Sequence, residues 1–222
     1  MAILRRLLVL ALLPLLLAGC AAVQQAEAPA QADSEADSMV VDPQALQAQN
    51  PYLKKRGSVN GTARRRFASA NAALASGDLE VARTDLEWLI ENYPRLSGPY
   101  LNMALLQQQL GELEQAEQYF QATLEVNSRN LTGYNQYAVF LREQGRFEEA
   151  EQVYLAALAV WQDHAETHRN IGVLYDLYRG ERQAALQHFY RYQALTGDQD
   201  RAVAGWIADL ERQRLSLAQG GQ

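Results

Sequence analysis

The chain has 222 residues, 48% of them hydrophobic, and sets 20 Lys and Arg against 26 Asp and Glu for a formal charge of −6. That composition can bury a sizeable core and counts against general nucleic-acid binding, which needs a basic surface. The single cysteine, Cys20, rules out an intramolecular disulfide.

In chain order, Arg5 and Arg6 come first, followed by an apolar run from Leu7 to Leu17 and then Ala18, Gly19 and Cys20. A positive start, a short apolar stretch and small residues at a cleavage point make a secretory leader. The run of 11 residues is shorter than the ~20 that a membrane-spanning helix needs. Pro14 disfavours a longer helix. The ending Leu17-Ala18-Gly19-Cys20 resembles the lipobox of bacterial lipoproteins. That resemblance implies a signal peptide over residues 1–19, a diacylglycerol on the Cys20 thiol and a further acyl chain such as palmitate on its new amine. Two or three acyl chains hold a protein stably on a bilayer. Ala21 follows the cysteine, where lipoproteins kept at the inner membrane commonly have Asp. The resemblance therefore implies an outer-membrane anchor on the periplasmic face. Loss of Arg5 and Arg6 leaves 18 basic against 26 acidic residues, a charge of −8.

Residues 20–50 read as the lipidated cysteine and a flexible acidic tether. They hold Glu27, Asp33, Glu35, Asp37 and Asp42, with no Lys or Arg. Such a stretch buries too little apolar surface to order itself. Its typical reach is ~30 Å, from the square-root scaling of flexible chains. The sign then reverses in a basic lead-in, residues 51–62. Lys54, Lys55 and Arg56, with Arg64, Arg65 and Arg66, have no acidic residue among positions 51–66. Anionic headgroups or an acidic partner would suit this patch. A solvated helix face, or attraction to the acidic tether, is the alternative.

The rest of the chain follows one spacing. Gly77, Gly111 and Gly145 stand 34 residues apart, and Gly180 follows after 35. The same offset links Ala82, Ala116 and Ala150, then Ala185, and it links Ala70, Ala104, Ala138 and Gly172. Large residues recur likewise at Leu86, Phe120, Tyr154 and Phe189. In the unit Ser97–Asn130, Tyr100, Met103, Ala104 and Gln107 share one face of a first helix. Ala116, Tyr119, Phe120, Thr123 and Leu124 line a second. The alanines mark where two helices cross at about 8–10 Å. Phe120 is placed to fill the gap between units.

These positions resemble the tetratricopeptide repeat, a helix–turn–helix unit of that length. The resemblance implies an all-α, right-handed α-solenoid of about four units, 63–96, 97–130, 131–164 and 165–197. Arg66 departs from it, standing where an aromatic is usual. The fourth unit has one extra residue near Arg179-Gly180, which implies a longer turn, and Tyr192 where a small residue is usual. Val203, Trp206, Ile207 and Leu210 then recur at helical spacing, predicting an amphipathic capping helix over 198–215. A disordered tail, 216–222, would follow.

Catalytic signatures are missing from the sequence. It has no G-x-S-x-G, no phosphate-cradling G-x-x-x-x-G-K and no dinucleotide fingerprint. Glu148 and Glu149 suit the dipole at a helix start. His164 and His168 have the i, i+4 spacing of metal ligands, but Glu166 lies in the wrong place for H-E-x-x-H. The repeat register puts His168 at the packing position of Tyr100 and Tyr134, and His188 is expected to be exposed. No enzyme activity, catalytic residue, metal or cofactor is expected.

The family resemblance implies a partner-binding groove lined by first-helix residues. In the first unit these are Phe67, Asn71 and Leu74; in the second, Leu101, Asn102, Leu105 and Gln109. Asn135, Gln136, Val139 and Arg142 come from the third, and Arg169, Asn170, Val173 and Asp176 from the fourth. Asn and Gln suit a peptide backbone, while Leu and Val accept apolar side chains. Arg142 and Arg169, beside Asn135 and Asn170, are the groups that could clamp a terminal carboxylate. The layout is similar to that of repeat lipoproteins that escort pilus secretins. It implies a lipid-anchored adaptor that binds an envelope protein. Recruitment of cell-wall enzymes and structural self-assembly are the rival readings. The sequence does not fix the oligomeric state.

Overall fold

A computed structural model describes residues 59–197 and 199–220. The leader, Cys20, the tether, Lys54, Lys55 and Arg56 lie outside the described residues. Among those described, nine α-helices and no strand are found. They are α1 (Gly61–Ser76), α2 (Leu79–Asn92), α3 (Ser97–Leu110), α4 (Leu113–Val126) and α5 (Leu131–Glu143). Next come α6 (Phe147–Val160), α7 (Ala165–Leu174), α8 (Arg182–Thr196) and α9 (Arg201–Gly220). A π-helical turn, Tyr175–Arg179, prolongs α7.

Each odd-numbered helix packs on the even-numbered helix that follows, giving four helix–turn–helix units closed by α9. The turns explain the glycine spacing. Gly77, Gly111, Gly145 and Gly180 all have positive φ, the left-handed region that favours glycine. In three units the next residue bonds back across the helix end: Asp78 N to Ala73 O, Glu112 N to Gln107 O and Arg146 N to Leu141 O, each at 2.9 Å. The fourth closes one residue wider, from Glu181 N to Tyr175 O at 2.9 Å. The extra residue is thus absorbed as a π-turn inside the first helix.

Small residues sit at the crossings. Ala70, Ala82, Ala104, Ala116, Ala138, Ala150 and Ala185 have no exposed surface. Gly172 goes further: a Cβ there would lie 2.5 Å from the Phe189 ring. Large residues fill the joints between units. Phe120 on α4 packs against Tyr137 and Phe140 on α5, with ring centroids 5.6 and 5.2 Å away. Met103 is buried with Leu86 and Leu106 where the first two units meet.

The two ends differ from the sequence reading. Residues 61 and 62, assigned to the basic lead-in, belong to α1, whose start is capped by Asn60 Oδ1 accepting from Thr62 N at 2.7 Å. At the other end α9 begins at Arg201 and runs to Gly220, through residues read as a tail. Val203, Ile207 and Leu210 are buried on it, and the exposed Leu215 lies beyond them. Asp200 caps it by accepting from Ala202 N at 3.0 Å.

Candidate partner-binding face

The row expected to line a groove lies on α1, α3, α5 and α7, with Asp176 on the π-turn that prolongs α7. Phe67, Leu74, Asn102, Leu105, Gln136, Val139, Val173 and Asp176 are half-buried, and Asn71 and Gln109 are exposed. Leu101 is buried in the core, so it supports the row from beneath. Leu105 and Val173 are packed against the main core cluster, and Leu74 against the smaller cluster where the first two units meet.

Its polar members are linked between neighbouring first helices. Asn102 donates to Asn71, and Asn170 Nδ2 donates to Asn135 Oδ1 at 3.0 Å. Asn135 is itself buried, donating to Leu131 O at 3.0 Å and to Thr167 Oγ1 at 2.7 Å. It therefore locks α5 to α7 and is not offered to a ligand. Arg169 reaches Asp200 at 3.5 Å and stacks over Trp206 at 5.1 Å, pinning the capping helix. The pair of arginines and asparagines expected to clamp a carboxylate is thus not assembled. Arg142 alone remains without an acidic partner, its guanidinium 5.4 Å from the Tyr178 ring.

Arg66 is likewise spent inward. It binds Asp85 at 2.6 Å and lies 4.4 Å over Trp88, so it does the packing of the aromatic it replaces. Arg64 and Arg65 are the exposed remainder of the basic patch within α1.

The histidines pack. His168 is buried, and its Nε2 donates to the Gln162 carbonyl at 2.8 Å. In its neutral form its Nδ1 must then accept from His188 Nδ1–H, 2.9 Å away. The exposure expected for His188 is wrong, because α8 turns it onto His168 and the Tyr175 ring. Burial, reinforced by His168, pushes His188 down to about 4. His164 holds the helix-capping position that Asn130 holds one unit earlier, and burial pushes it also to about 4. Burial lowers His168 as well. No group of three or more potential metal ligands occurs among the described residues.

One set of residues escaped the sequence reading. Glu117 on α4 accepts from Arg146 at 2.5 Å and from the Tyr137 hydroxyl at 2.8 Å, bridging the second unit to the third. Glu151 repeats this one unit on, with Tyr175 at 2.6 Å and Arg179 at 3.4 Å. The signal was present, since Glu117 and Glu151 are themselves 34 residues apart.

Comparison with known proteins agrees with this geometry. A family model described as Tetratricopeptide repeat matches residues 101–165 and 141–200. The solved structure of pilF from Pseudomonas aeruginosa superposes with a TM-score of 0.62 at 25% identity, covering 70% of each chain. A tetratricopeptide repeat protein from Parabacteroides merdae gives 0.59 at 21% identity, covering 71% of this chain and 62% of that one. A thermophilic tetratricopeptide protein of Thermus thermophilus gives 0.57 at 19% identity, covering 76% and 88%. A search of curated proteins finds no match.

Proposed function

We propose, from a helical region that is an array of tetratricopeptide repeats, that this protein is a lipid-anchored adaptor holding an envelope protein at the outer membrane. Such arrays generally serve as non-enzymatic scaffolds for other proteins. The observation that carries the reading is the half-buried row on α1, α3, α5 and α7, held in place by the Asn102–Asn71 and Asn170–Asn135 bonds. Half-buried apolar side chains between linked amides suit an extended or helical peptide segment.

The anchoring part rests on the lipobox resemblance and on Cys20 being the one cysteine of the chain. An acidic tether between anchor and array would let the face search a radius of ~30 Å and raise its effective concentration near membrane partners. The likeness to pilF, at 25% identity over 70% of each chain, favours an assembly role of the pilus type over cell-wall recruitment.

Photocrosslinking in living cells tests the reading. A photoreactive residue at Gln136 or Val173 should give an adduct with a different envelope protein. The same probe at Gln152, exposed on the second helix α6, should not. Adducts with a cell-wall enzyme or with a second copy would select the rival readings. Adducts from Gln152 alone, or none, would remove the face.

A further inference from the structure

Arg142 is the cation that this face leaves uncompensated. It forms no ion pair or hydrogen bond among the described residues, and its Nε is buried without a partner. The hydroxyl of Tyr154, a residue with no exposed surface, is buried and unpartnered too. Glu143 is taken by Gln108 at 2.8 Å. Buried polar atoms are nearly always satisfied, and a lone buried guanidinium edge costs stability. The buried Nε is closed to an incoming group, so what a ligand can reach is the outward Nη pair of this half-buried side chain, which has no acidic partner.

The π-turn builds the surroundings. It places Tyr178 under the guanidinium at 5.4 Å and against Phe147, with ring centroids 5.1 Å apart. An aromatic face beneath a guanidinium fixes its plane while leaving its edge free to donate. Leu177, next in the turn, is 69% exposed, the most exposed large apolar side chain among the described residues. The third unit ends its first helix instead with the polar Glu143 and Gln144. A π-turn inserted at one point of a regular array marks a local specialisation.

We propose that Arg142, seated on Tyr178, receives a side-chain carboxylate from an internal segment of the partner protein, with Leu177 taking an adjacent apolar residue. This rests on the adaptor reading above and narrows the partner to an acidic–apolar segment. A single planar fork matches one carboxylate bidentately. A chain-terminal carboxylate is the poorer fit, because Arg169 and Asn135, the groups that would complete a clamp, are already engaged.

The probe is an array of short, C-terminally amidated peptides with a central Leu-Glu pair and random flanks, printed beside twins carrying Leu-Gln. The full-length lipidated protein in detergent should prefer the Glu peptides by about tenfold, the scale of one charge-assisted hydrogen-bonded pair. Arg142→Gln should abolish that preference and Tyr178→Leu should reduce it, with Arg142→Gln melting no lower than the parent. Equal binding to both twins, binding to neither or a demand for a free C-terminus would overturn the assignment. So would a preference that survives Arg142→Gln, or an Arg142→Gln protein that melts well below the parent. Crosslinks from Gln136 and Val173 that persist unchanged in Arg142→Gln cells would keep the adaptor reading and remove this one. Their absence in the parent would remove both.

Discussion

At the residue scale, two partly buried networks make the stability of the array depend on pH. The histidines are held neutral. His188 and His164 are both pushed down to about 4, so between there and the ordinary histidine value of about 6.5 the unfolded chain binds more protons than the folded one. Stability therefore rises with pH across that window and levels off above it. Unfolding free energies from denaturant titrations should fall steadily from pH 6.5 to pH 4, by about 1–2 kcal/mol per partly buried histidine. His188→Gln should flatten the slope; an unchanged slope would mean that the pair is not buried as a neutral couple. Glu117 works in the range below. The Arg146 guanidinium bonded to it lowers its carboxyl, with the Tyr137 hydroxyl assisting against burial. Its contribution is complete above the ordinary carboxylate range of about 4.3 and is lost as pH falls through the lowered value. Glu117→Gln should cost about 1–2 kcal/mol at neutral pH and remove that acid limb in urea titrations. A variant as stable as the parent at pH 7 would show the bridge to be idle.

At the element scale, the glycines separate into two kinds that a sequence pattern cannot tell apart. Gly145 has φ of 75° and nothing within 4 Å of a built Cβ, so a side chain there meets strain and no clash. Gly172 lies inside α7, where a Cβ would meet the Phe189 ring at 2.5 Å. Gly145→Ala should cost about 1–2 kcal/mol through the left-handed backbone alone. Gly172→Ala should cost about 1–3 kcal/mol through overpacking, and a Phe189→Leu background should relieve it. Failure of that rescue would show the crossing to be looser than described. The helix starts and turns were legible in the sequence because a 34-residue template repeats four sets of small, large and glycine positions. The wider fourth turn was legible as a count of one extra residue, but not as a π-turn, because local spacing does not say which carbonyl closes a helix. Partnerships between side chains were hidden for the same reason. The register puts Arg142 and Arg169 on one face, yet only the packing of α9 shows that Asp200 and Trp206 engage Arg169 and leave Arg142 alone. His188 was misread because its partner comes from another helix of the same unit.

At the scale of the whole molecule, the proposed function requires both a binding array and an anchor that places it. The array is closed at its C-terminal end by α9, where Trp206 packs on Phe189 with ring centroids 5.4 Å apart. That contact and the Arg169–Asp200 pair fix the fourth unit, whose first helix carries Val173 on the face. Trp206→Ala should loosen that unit first, seen as faster amide exchange in α7 and α8 than in α3 and α4. Uniform exchange across all units would mean that the array opens as one body. The most direct measurement follows the adduct formed from a photoreactive residue at Val173, together with membrane sedimentation, in cells making the parent protein or Cys20→Ala. The account predicts that the parent sediments with membranes and forms an adduct with another envelope protein, and that Cys20→Ala loses both. A Cys20→Ala protein that still sediments with membranes, or crosslinks to the same partner in equal yield, would contradict it.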